Sequence, residues 1–140
     1  MEIRRAKPED ADELFHLNEL FGNTTTLETI KESLTGNNRE IVCIAYADGI
    51  SAGYCTGLIM NSMCYSEKRV DIEALYVRDE YRRQGIGESL ISCLEKEAVS
   101  QGIHHFHIIT HSENIRALSL YKRIGYTNTG EILLDKTIND

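Results

Sequence analysis

The feature that most constrains this chain is a strand-like run, a glycine turn and a helical pattern in immediate succession. Val70-Asp71-Ile72-Glu73-Ala74-Leu75-Tyr76-Val77 reads as a strand, Arg82-Arg83-Gln84-Gly85-Ile86-Gly87 follows it, and Glu88-Ser89-Leu90-Ile91-Ser92-Cys93-Leu94 carries the helical period. The turn between them also has chemistry. The N–H groups at a helix start have no partner within the helix, and glycine at 85 and 87 removes the Cβ atoms that would keep a pyrophosphate away from them. The helix adds the positive end of its dipole, so phosphate binding is the first inference. A short glycine pair also punctuates ordinary strand-to-helix turns, and the rest of the chain has to decide between the two.

Around this unit the pattern predicts further elements. Glu2 to Arg5 is a short strand, and Pro8-Glu9-Asp10 starts a helix whose apolar face is Ala11, Leu14, Phe15, Leu17, Leu20 and Phe21, ending near Gly22. Thr24 to Thr26 caps a second helix with Leu27, Ile30 and Leu34 at helical spacing, broken at Gly36-Asn37-Asn38. Ile41 to Ala47 and Ile50 to Met60 are strands joined by the hairpin turn Asp48-Gly49, with Gly53 and Gly57 permitting bends. A strand from about Glu67 to Val77 comes next. A helix from Gly85 to about Gln101 follows, with Ile86, Leu90, Ile91, Leu94 and Ala98 on one face and Gly102 as its stop. His104 to His111 returns to strand, Asn114 to Ile124 is a short helix, and Ile132 to Ile138 is a last strand, with a small extra strand near Tyr126. This order predicts an α/β fold with a single mixed, mostly antiparallel sheet flanked by helices.

At 140 residues the chain is expected to be one domain, 1–140, able to bury about two-thirds of its unfolded surface without metals or disulfides. The net charge of −7 argues against nonspecific nucleic-acid binding and suits a cationic partner or substrate. Cys43, Cys55, Cys64 and Cys93 show no Cys-x-x-Cys spacing, so free thiols in a reducing cytoplasm are expected. No apolar run spans a bilayer and the first residues are not a signal peptide, so the reading is a cytoplasmic protein with no membrane partner.

Two segments in the right order carry a family resemblance. Arg82-x-x-Gly85-x-Gly87, preceded by Leu75-Tyr76-Val77, is similar to the acyl-CoA loop of the Gcn5-related N-acetyltransferases (GNAT). Asn114-Ile115-Arg116-Ala117-Leu118-Ser119-Leu120-Tyr121-Lys122-Arg123-Ile124-Gly125-Tyr126 resembles that family's Asn-x-x-Ala-x-x-x-Tyr-x-x-x-Gly-Phe or Tyr segment. The resemblance implies acetyl-CoA as acetyl donor, lying in a cleft where the strand ending at Val77 and the strand from His104 splay apart. It implies that the backbone of Leu75, Tyr76 and Val77 holds the pantetheine arm and that N–H groups of Arg83, Gln84, Gly85, Ile86, Gly87 and Glu88 receive the pyrophosphate. The Arg82 and Arg83 side chains are expected to add charge, and Asn114 and Tyr121 to contact the cofactor. Asp79 stands where the family commonly has a proline, which removes no needed donor.

Acetyl transfer from a thioester to an amine needs a neutral amine, a stabilised oxyanion and a proton for the thiolate. By strand alternation Glu73 and Asp71 share a face, close to where the family often places a carboxylate. Glu73 is the first choice as base; binding a cationic acceptor, a structural hydrogen-bond role and deprotonation through water all stay open. Tyr121 matches a family tyrosine placed to protonate the thiolate, and a backbone N–H near Tyr76 or Val77 is expected to bind the oxyanion. His105, His107 and His111 fall on one predicted strand face, but they lack a recognisable ligand spacing and are read as a polar face with no metal. Ser89 and Ser92 have no hydrolase elbow around them. The expected reaction is direct transfer in a ternary complex to a primary amine of a small cationic molecule or peptide, by an enzyme that can form a homodimer. The alternative is an acyl-CoA-binding sensor or assembly module.

Overall fold

The computed structural model describes residues 1–36 and 39–140 and divides them into two units, Met1–Ile109 and Thr110–Asp140. The first unit holds one five-stranded sheet in the order β1 (Glu2–Arg5), β2 (Glu40–Ala47), β3 (Ile50–Met60), β4 (Arg69–Val77), β5 (Phe106–Ile108). Neighbours β1 to β4 are antiparallel and β4 pairs with β5 in parallel, so the sheet is mixed and mostly antiparallel, as the pattern predicted. The β2–β3 hairpin turns at Asp48 (φ 51°) and Gly49 (φ 78°), the two left-handed positions that a two-residue turn needs.

Helices α1 (Ala11–Phe21) and α2 (Leu27–Thr35) lie on one side of the sheet, where Leu14, Leu17, Val42, Ile44 and Tyr54 form a buried cluster joined by Ile30 and Leu34. The other side takes α3 (Ile86–Ser100), whose Ile86, Leu90, Ile91, Leu94 and Ala98 are all buried, as its spacing predicted. Alternation along β2 supplies both cores, since Val42 and Ile44 face α1 while Ile41, Cys43 and Ala45 are buried on the opposite face. The Thr26 hydroxyl accepts from the Thr29 N–H at 3.1 Å and so caps α2. Gly36 ends that helix; Asn37 and Asn38, read with it as the helix break, lie outside the described residues. All four cysteines are free.

The second unit contains α4 (Ile115–Arg123). The strand expected at Ile132 to Ile138 is not formed, nor is the small one near Tyr126; Ile132, Leu133, Leu134 and Ile138 are 70–83% exposed. Strand composition is local, whereas a strand exists only when a neighbouring chain supplies hydrogen bonds, and no ladder includes this segment. The strand predicted over His104 to His111 shortens to Phe106–Ile108 for the same reason, because β4 pairs with it only at three positions.

Candidate active site

Strand β4 is paired on both sides for only part of its length. Against β5 the register is Val70 with Phe106, Asp71 with His107 and Ile72 with Ile108, after which the parallel ladder stops. Against β3 the pairing continues to Val77 with Gly53. Residues Glu73 to Val77 therefore have no strand partner on the β5 side, which is the splaying that the family resemblance implies. Gly53 keeps β3 close at this point, since a Cβ there would lie 2.5 Å from the Tyr76 carbonyl oxygen.

A β-bulge sits at the start of that free edge. Gly57 pairs with Ile72 and Thr56 with Ala74, so Glu73 is the extra residue of β4. The bulge breaks the strict alternation assumed for Asp71 and Glu73, yet the two carboxylates remain electrostatic neighbours. Partial burial, then the charge of Asp71, then that of Glu40 raise the Glu73 pKa above the ordinary carboxylate value. Asp71 is engaged elsewhere. It accepts from Arg69 Nε at 2.8 Å, and His107 Nδ1 lies 3.7 Å from its Oδ1. Glu40 accepts a short hydrogen bond from the Ser33 hydroxyl. Of the carboxylates on this face Glu73 is thus the exposed one whose proton affinity is raised. Glu40 was not singled out from the sequence, because only the sheet register brings it opposite Leu58, across β3 from Asp71.

Beyond Val77 the chain makes a single turn of 3₁₀ helix at Asp79–Tyr81 and then the glycine turn. Arg82 organises this loop: its Nε donates to the Val77 carbonyl at 3.1 Å and its Nη1 pairs with Asp79 at 2.7 Å. Its side chain therefore braces the loop in addition to carrying the charge the resemblance assigns to it. Arg83 (φ 66°) and Gly85 (φ 78°) are left-handed, which turns successive N–H groups toward one side. Gly85 is the N-cap of α3 and, as a glycine, supplies no side-chain cap. A Cβ at Gly85 would meet nothing within 4 Å, so the space beside this N-cap is open. Free strand edge, left-handed loop and glycine-led helix start follow one another along the chain, and together they fit an acyl arm ending in a pyrophosphate.

In the second unit Asn114 is the N-cap of α4, its Oδ1 accepting from the Ala117 N–H at 3.2 Å. Tyr121 lies on α4, its ring edge-on to Tyr126 at 6.3 Å between centroids. The histidines separate. His105 and His107 bring their Nε2 atoms to 3.1 Å, while the strand ends at Ile108 and its alternation does not reach His111.

Comparison with known proteins accords with this geometry. The profile of the Acetyltransferase (GNAT) family matches residues 8–126. The chain is 26% identical over 141 residues to an acetyltransferase of Yersinia pestis (strain Pestoides F), covering 99% of this chain and 96% of that protein. It is also 26% identical to N-acetyltransferase 8 of Homo sapiens over 107 residues, which is 76% of this chain but only 47% of that longer protein. Among solved structures, an aminoglycoside acetyltransferase from an uncultured soil metagenomic sample, in complex with sisomicin, superposes with a TM-score of 0.86 at 18% identity, covering 99% of this chain and 96% of that one. An aminoglycoside N-acetyltransferase in complex with CoA gives 0.84 at 18% identity, covering 97% and 93%. With a family profile that matches residues 8–126, most of its length, the chain belongs to the GNAT acetyltransferase family.

Proposed function

We propose that this protein is an acetyl-CoA-dependent N-acetyltransferase that acts on a primary amine of a small cationic molecule or peptide in the cytoplasm, by direct transfer in a ternary complex. The observation that carries the reading is the free edge of β4 from Glu73 to Val77, which leads through the glycine turn into the start of α3. Related folds solved with CoA and with an aminoglycoside support it.

The backbone of Leu75, Tyr76 and Val77 lies along the pantetheine arm as an added strand would, with the Leu75 N–H and C=O and the Val77 N–H directed to its amides, since Tyr76 pairs with Tyr54 and the Val77 carbonyl is held by Arg82. The N–H groups of Arg83 to Glu88 take the pyrophosphate, with Arg83 adding charge. Glu73 accepts a proton from the acceptor ammonium and leaves a neutral nitrogen nucleophile; its raised proton affinity suits that role. The N–C bond forms as the thioester C–S bond breaks, an N–H near Tyr76 or Val77 stabilises the oxyanion, and the Tyr121 hydroxyl protonates the departing thiolate. The amide nitrogen sheds its second proton and Tyr121 is reprotonated, so that one proton per turnover is released to solvent.

The test is thiol release from acetyl-CoA with a panel of amines, each product weighed by mass spectrometry. Amine-dependent thiol release with a product 42 Da heavier, the mass of an acetyl group less one hydrogen, is expected for at least one acceptor. Tight acetyl-CoA binding with no turnover across the panel would instead favour an acyl-CoA sensor.

A further inference from the structure

Arg78, the residue that follows β4, is bonded more heavily than its place at a strand end requires. Its N–H donates to the Ala52 carbonyl at 2.8 Å, which carries the pairing of β3 and β4 one step past Val77. Its carbonyl accepts from the Tyr81 N–H at 3.0 Å and closes the single 3₁₀ turn. The side chain turns back to the start of β3, where Nε donates to the Ser51 carbonyl at 2.6 Å and Nη2 to the Ser51 hydroxyl oxygen at 3.3 Å. Ser51 is 1% exposed, and its hydroxyl in turn donates to Glu13 of α1 at 2.6 Å. A guanidinium and a carboxylate thus charge-assist one chain of bonds that passes through a buried hydroxyl.

This chain of bonds fixes the upstream end of the glycine turn. The downstream end is fixed by Ile86, which is buried, but none of residues 79–85 between them is. A segment with no buried side chain keeps its shape through its ends and its own hydrogen bonds. Arg82 braces the turn from within, yet its two partners, Val77 and Asp79, are the residues on either side of Arg78. The brace is therefore tied to the sheet through Arg78. N–H groups held in place before a ligand arrives bind it without the cost of ordering them. We propose that Arg78, through Ser51 and Glu13, is a positioning residue for the acetyl donor, one that holds the glycine turn in the shape that receives the pyrophosphate. The proposal rests on the acetyltransferase reading and deepens it.

Calorimetry with acetyl-CoA and amide hydrogen exchange of the ligand-free full chain test it together. Arg78→Ala should weaken acetyl-CoA binding about tenfold, and Arg78→Lys, which offers one ammonium in place of the fork, should fall between. Exchange over residues 79–88 should quicken about tenfold in Arg78→Ala while β2 and the middle of α3 keep their rates, a local change that a general loss of stability does not produce. Ser51→Ala keeps the backbone carbonyl and should show part of both effects. With an acceptor from the amine panel, Arg78→Ala should raise KM for acetyl-CoA about tenfold and leave kcat and the acceptor KM within about twofold. Unchanged acetyl-CoA affinity in folded Arg78→Ala, or in both Arg78→Lys and Ser51→Ala where that variant does not fold, overturns the assignment of Arg78 and leaves the acetyltransferase reading standing. Weaker binding with faster exchange throughout the sheet does the same. Failure of the unmodified protein to bind acetyl-CoA overturns both.

Discussion

Glu73 gains its character from partial burial and from two carboxylates, one near it in the sequence and one far from it. Burial, Asp71 and Glu40 all disfavour its ionised form. A base whose pKa is raised keeps its proton to higher pH, so the acidic limb of kcat/KM is expected above the ordinary carboxylate range. Replacing Glu73 with Gln should remove that limb and lower single-turnover rates at saturating acceptor by about 10²-fold or more. Asp71→Asn should have the smaller effect on rate and should shift the limb to lower pH, because it removes one of the charges that raise Glu73. A pH series of single-turnover rates checks both. Full activity with an unchanged profile in Glu73→Gln would eliminate it as the base. Alternation in the sequence found both carboxylates. It could not find the bulge that makes Glu73 the extra residue, or the Arg69 and His107 groups that engage Asp71, because both depend on which residues β3 and β5 bring alongside.

At the scale of elements, the glycine turn and α3 form the most legible part of the chain. The helix face and its stop were readable because helix period and capping are local, and the structure places the helix at Ile86–Ser100. Gly85 is expected to matter to ligand binding more than to folding. A valine there faces a strained left-handed φ, at roughly 1–3 kcal/mol, but meets no protein atom within 4 Å. Calorimetry should show acetyl-CoA affinity falling at least about tenfold while circular dichroism stays native, since the β-branched side chain would obstruct the approach of a pyrophosphate to the backbone of the turn. Wild-type affinity in the folded variant would show that this loop is not the phosphate cradle. The strands were less legible at their ends, where β4 and β5 part and where the run from Ile132 finds no ladder.

Across the whole molecule, one buried polar cluster that joins separate elements is built on Asp10. It is buried, accepts two hydrogen bonds from Arg4 at 2.7 and 3.0 Å, one from the Tyr46 hydroxyl at 2.7 Å and one from the Lys7 N–H at 2.7 Å, and so ties β1 and β2 to the start of α1. Burial alone would raise its pKa, but these donors together lower it to about 2. A depressed carboxylate stabilises the fold fully above its unfolded pKa, and that contribution is lost as pH falls through the folded value. Stability should therefore drop by about 2 kcal/mol between roughly pH 4 and pH 2 on this account. Asp10→Ala should cost about 2–4 kcal/mol at neutral pH by leaving Arg4 without its main partner. The difference between the two proteins in urea unfolding should shrink toward pH 2; a constant difference would show that the carboxylate's charge is not the cause. Leu133→Ser and Leu134→Ser should each change stability by less than about 0.5 kcal/mol, because both side chains are exposed. Loss of stability on that scale or beyond, growing with protein concentration, would point to a covering second copy and to the homodimer expected from the resemblance. By itself the sequence determined the helices, the β2–β3 hairpin, the glycine turn before α3 and the family, since period, turn chemistry and motif spacing act over a few residues. Only the tertiary structure decided where β4 loses its partner, which carboxylate of its face stands exposed with a raised proton affinity, and that Arg78 is bonded to Ser51. Those outcomes depend on register and packing between segments far apart in the chain, and no local pattern encodes them.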